Sequence, residues 1–106
     1  MPTYLITNRA PAGMSPSPDA FAAWTAWFDE LGDHLVERGN PAFAQTTVGN
    51  CGPDTVLGGY TLVDADNLAE AEALAQHHPL VSRGGGVEIA ELTIVNEGRH
   101  LATDER

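Results

Sequence analysis

The sequence predicts an α+β domain whose elements run β-α-β-β-α-β. Three observations carry that expectation. Gly58 to Ala71 reads as a strand, a short acidic turn and the first turns of a helix. Ser17-Pro18-Asp19 opens a long stretch with aromatic and leucine residues at three- and four-residue steps. The glycine-rich run Arg83 to Gly86 is followed by a closing apolar strand. With 106 residues the chain has room for one domain and one core.

Thr3 to Asn8 is the first strand. Tyr4, Leu5 and Ile6 form an apolar run without clean alternation, as in a strand covered on both faces. Arg9 to Pro18 is rich in proline, glycine and serine and reads as loop. Ser17 can cap a helix, Pro18 suits its first position, and Asp19 complements its dipole. The first helix is expected to run to about Arg38 and stop at Gly39. Phe21, Trp24, Phe28, Leu31 and Leu35 make one apolar stripe, bordered by Trp27 and His34. Burial of those five side chains would contribute roughly 8–15 kcal/mol before entropy is subtracted.

Ala42 to Gly49 is the second strand candidate, favoured by Thr46, Thr47 and Val48. Asn50-Cys51-Gly52-Pro53-Asp54 is a turn cluster, and Thr55 to Asp64 is the third strand, expected to form an antiparallel hairpin with the second. Asn67 and Glu70 fit a capping box for a second helix running to His77 or His78, with Leu68, Ala71, Leu74 and Ala75 inward and Pro79 as the stop. Val87 to Val95 is the last strand. Residues 1–95 form the expected domain, and 96–106 a polar tail.

Charge narrows the functional classes. Fifteen acids face five arginines and no lysine, for a formal net charge of −10. Nucleic acid and anionic membranes both require a clustered basic surface, so neither is an expected partner. One cysteine, Cys51, excludes an intrachain disulfide and a cysteine-based zinc site. The N-terminus lacks a basic lead and a long apolar run, and no segment is apolar enough to span a bilayer. The expectation is a cytoplasmic protein without cofactor or metal.

The order β-α-β-β-α-β, with two helices on one face of a four-stranded antiparallel sheet, is the ferredoxin-like arrangement. It leaves the other sheet face bare. Tyr60 and Leu62 share one face of their strand, Thr61 and Val63 the other. Both faces are therefore partly apolar, and a second copy packed sheet to sheet would cover the bare one.

Several motifs in order resemble a known family. Leu31-Gly32-Asp33-His34-Leu35-Val36-Glu37-Arg38-Gly39 looks like the end of its first helix. Gly52-Pro53, Leu57-Gly58-Gly59-Tyr60, the acidic turn before Leu68, Pro79 and Gly86-Val87-Glu88-Ile89 follow in sequence. Over about residues 3 to 95 the chain resembles the YCII-related, DGPF-type proteins. That resemblance implies a homodimeric α+β barrel, related to small-molecule isomerases, monooxygenases and ligand-binding proteins. Where the family has Asp-Gly-Pro-Phe, this chain has Cys51-Gly52-Pro53-Asp54. Where the family continues with Arg-Pro after Glu88-Ile89, Ala90 and Glu91 stand. Some relatives carry a helix histidine thought to work with an aspartate; His34 lies about two turns later than that position.

The ordinary readings of the other candidates are structural. Asp33 and His34 are adjacent on a helix and diverge by about 100°, so they cannot pair. His77-His78 reads as helix-end dipole compensation, Arg83-Gly84-Gly85-Gly86 as a turn, and Cys51 as a thiol without an activating base. Tyr60 and Glu88, on different strands, are the better ligand-binding candidates, with Trp27 and His34 expected to meet them in a pocket. Two functions follow. One is a non-catalytic small-molecule-binding or accessory module. The alternative is a cofactor-free acid-base enzyme of the isomerase, lyase or monooxygenase type.

Overall fold

The computed structural model describes residues 1–14, 18–52 and 54–93. Its strands are β1 (Thr3–Pro11), β2 (Leu35–Glu37), β3 (Thr55–Asp64) and β4 (Gly86–Leu92), and its helices are α1 (Pro18–Leu31) and α2 (Leu68–Ala75). The sheet order is β2-β3-β1-β4 with every pair antiparallel. This is the ferredoxin-like topology. The expected cap Ser17, the turn residue Pro53, the last strand positions Ile94 and Val95, and the tail 96–106 lie outside the described residues.

Alternation along β1 sorts the two sheet faces. Tyr4, Ile6 and Asn8 are buried against the helices, whereas Leu5 and Thr7 point to the open face. Directly paired residues share a face. Val63 and Thr61 therefore lie on the helix side, opposite Tyr4 and Ile6, and Tyr60 and Leu62 lie on the open side, opposite Thr7 and Leu5. The core joins Tyr4, Ile6 and Val63 to Trp27 and Leu31 of α1 and to Ala71 and Ala75 of α2. Two alanines at a four-residue step let α2 lie close to the sheet.

Three expectations need correction. The first helix ends at Leu31, seven residues before Arg38, because Gly32 takes φ +54 and reverses the chain. After one 3-10 turn, Leu35 re-enters the core from the short strand β2. Trp24, Phe28, Leu31 and Leu35 of the expected stripe do pack in or against the core, and Phe21 does not. Trp27 is 2% exposed and central, while Phe21 is 80% exposed.

The second strand is Leu35–Glu37 and not Ala42 to Gly49. Residues 38–45 instead form a strap along β3. Arg38 O accepts from Thr61 Oγ1 (3.0 Å), Pro41 bridges to Gly59, and Ala42 N donates to Gly58 O (3.1 Å). The Gln45 side chain completes it, accepting from Leu57 N (3.1 Å) and donating to Leu57 O (2.8 Å). A side-chain amide thus replaces the strand expected there. Thr46-Thr47-Val48 has strand propensity but no ladder, and Val48 is 89% exposed.

The second helix matches its expected start. Asn67 Oδ1 accepts from Glu70 N at 2.9 Å, and Glu70 Oε1 reaches back to Asp66 N. Leu68, expected inward, is exposed. Among the described residues no helix is long and apolar enough to cross a membrane.

Candidate functional site

A cleft of about 900 Å³ lies on the helix side of the sheet. Its floor is Asn8 of β1 with Gly58 and Gly59 of β3. One wall is the α1 face carrying Phe21, Trp24 and Phe28. The strap from Arg38 to Gln45 lines it too, as do Leu80 and Arg83 of the 3-10 turn after α2.

Two glycines permit this construction. A Cβ on Gly39 (φ +80) would overlap the Tyr60 carbonyl oxygen and lie 2.6 Å from its carbon, and one on Gly59 would sit 2.6 Å from Asn40 O. The strap therefore lies on β3 backbone to backbone. Asn8, 2% exposed, fills the space beside Gly58, and its Oδ1 has no hydrogen-bond partner.

Aromatic rings form the wall. Trp24 packs on Phe28 at 5.9 Å and edge-on to Trp27 at 6.1 Å between centroids. His78 lies behind them, 4.6 Å from both indoles. Its Nδ1 accepts from Leu80 N at 3.1 Å, which places the neutral ring's proton on Nε2, an atom that is buried and unpartnered. Burial lowers its pKa from 6.5 to about 4, so this imidazole is uncharged at neutral pH. Arg38 stacks its guanidinium 4.9 Å from the Phe28 centroid.

The four residues singled out from sequence do not share one pocket. Trp27 is in the core behind the cleft, its Nε1 donating to Leu74 O at 3.0 Å. His34 Nδ1 donates to Asp64 O at 2.8 Å, at the far end of β3. Tyr60 and Glu88 do share a face, since both pair with Thr7, but it is the open face, and Glu88 is exposed. Strand parity separates the two pairs, because the helices cover the opposite side. Of the four, Tyr60 alone borders the cleft, where its backbone meets the strap at Gly39, while its side chain lies on the open face. Its hydroxyl donates to Glu37 Oε2 at 3.0 Å and accepts from Asn40 Nδ2 at 3.1 Å. Sequence reasoning missed Asn8, Trp24, Arg38 and Arg83 as a group. The signal that singles out the arginines is their rarity in an acidic chain.

The YCII-related domain model matches residues 1–96. The chain belongs to the YCII-related family. No curated protein matches it. Among solved structures, this YCII-related chain is similar to 5-chloro-2-hydroxyhydroquinone dehydrochlorinase (TftG) from Burkholderia phenoliruptrix AC1100 in complex with 2,5-dihydroxybenzoquinone. The TM-score is 0.61 at 20% identity, covering 86% of this chain and 93% of that one. The likeness is one of fold.

Proposed function

We propose that this YCII-related protein is a small-molecule-binding module whose ligand occupies the cleft between α1, the strap and the sheet. The observation that carries this reading is the cleft itself, about 900 Å³, walled by Trp24 and Phe28 and floored by Asn8 and the glycines of β3. Small-ligand sites typically combine an apolar, aromatic lining with a few placed polar groups.

A second reading, a cofactor-free acid-base enzyme, is favoured by the name of the similar structure, a dehydrochlorinase. The proton-bearing candidate is then Tyr60 on the open face, with Glu37 as its acceptor. A second copy covering the open sheet face around Leu5, Thr7 and Leu62 completes the proposal. Glu88 and Tyr60 on that face would then lie at the subunit contact.

A thermal-shift screen of aromatic acids, phenols and quinones tests the reading. Binding raises the melting temperature with ligand concentration and quenches Trp24 fluorescence. Ligand consumption abolished by Tyr60→Phe would move the assignment to the enzyme; no stabilising compound together with no quenching would remove the cleft as a site.

A further inference from the structure

We infer that the cleft takes a planar organic anion, an aromatic carboxylate or an enolate of similar size, held by Arg38 and Arg83. The inference rests on the reading of the cleft as a ligand site, and it concerns the charge of that ligand.

Positive charge is unevenly placed in this protein. The chain carries −10 overall and fifteen carboxylic side chains. Yet the cleft's described lining contains no aspartate or glutamate and two arginines. Of the three arginines among the described residues, Arg9 is committed to structure. Its Nε donates to Thr55 Oγ1 at 2.7 Å, and its Nη2 to the carbonyls of Thr55 and Cys51. Arg38 and Arg83 have no carboxylate partner among the described residues, where the one ion pair joins His77 to Glu30.

The geometry also fits a planar anion. Arg38 Cζ lies over the Phe28 ring, 4.9 Å from its centroid. Its N–H groups have no carboxylate partner among the described residues, and a carboxylate or enolate oxygen can supply the bidentate match a guanidinium provides. Arg83 enters from a separate element, the turn after α2, where Leu80 packs beside it in the same lining. Trp24 and Phe28 supply the surface on which a ring lies flat. A neutral ligand would make no charge-assisted contact with either guanidinium. The protein's overall negative charge repels any anion at long range, so affinity for one has to come from these local contacts.

The test compares two ligands of nearly equal shape, 3-hydroxybenzoate and its neutral analogue 3-hydroxybenzamide, titrated into the full chain and followed by amide NMR shifts and tryptophan fluorescence. The carboxylate is expected to bind about tenfold more tightly, the scale of a charge-assisted contact. Arg38→Gln and Arg83→Gln, checked as folded by circular dichroism, should each reduce that preference several-fold, and the double variant should abolish it without weakening the amide. If the amide binds as well as the carboxylate, with shifts at Trp24 and Arg83, the anion inference is overturned while the cleft remains a binding site. If neither compound shifts those signals at millimolar concentration, the cleft reading fails and takes this inference with it.

Discussion

Replacement of Gly39 by alanine isolates what the strap contributes. A Cβ there would overlap the Tyr60 carbonyl oxygen and approach its carbon to 2.6 Å, and the residue sits at φ +80. The obstacle is backbone, so no rotamer change relieves it, and the strap must lift from β3. Left-handed conformation costs a side-chain-bearing residue about 1–2 kcal/mol. The bonds from Thr61 Oγ1 to Arg38 O and from Ala42 N to Gly58 O would be lost, at about 1 kcal/mol each. A tighter unfolded chain returns about 0.4–1 kcal/mol. The net destabilisation is about 3 kcal/mol, which lowers the urea midpoint by roughly 2 M at the slope usual for a domain of this size. Gly49 supplies the control. It has φ +81 but open space around its Cβ position, so Gly49→Ala should cost only about 1 kcal/mol. Equal midpoints for the two variants would refute the claim that the strap is seated on β3.

Other consequences are as definite. Trp27→Ala should cost about 3–5 kcal/mol, because the indole is 2% exposed and its Nε1 holds Leu74 O; an unchanged denaturation midpoint would place Trp27 outside the core. His78 makes stability fall with acid. Its folded-state pKa, about 4, lies below the unfolded value of 6.5, so the unfolded chain binds the extra proton first and stability drops as pH falls from 6.5 toward 4. At about 1.4 kcal/mol per pH unit the loss approaches 3 kcal/mol, and His78→Leu should flatten that part of the pH profile in urea titrations. Light scattering at micromolar concentration should find a dimer, and an 11 kDa species throughout would leave the open sheet face uncovered.

The sequence made the topology legible because local signals fix it. Asn67 and Glu70 announce α2, Pro18 and Asp19 open α1, and the run Tyr60 to Val63 places β3. The end of α1 was hidden by coincidence. Leu35 keeps helical spacing with Leu31 yet reaches the core from a strand, and the glycine that stops the helix, Gly32, was outweighed by that periodicity. The strap was illegible for a different reason. Its partner at Leu57 is a glutamine side chain twelve residues away, a pairing no strand pattern encodes. The site fared likewise. Tyr60 and Glu88 do share a face, but which face the helices cover depends on register, and register placed Trp27 and His34 on the other side. The cleft combines Asn8, Trp24, Arg38 and Arg83 from four separate segments, so only the fold brings them together.

The central claim is that the helix-side cleft binds a small molecule. The most direct measurement is an amide NMR titration of the full chain with 3-hydroxybenzoate. Saturable shifts are expected to cluster at Asn8, Trp24, Phe28, Arg38 and Arg83, with Leu5, Leu62 and Ala90 on the open face unmoved. Saturable shifts confined to the open face, or none at all, would contradict it.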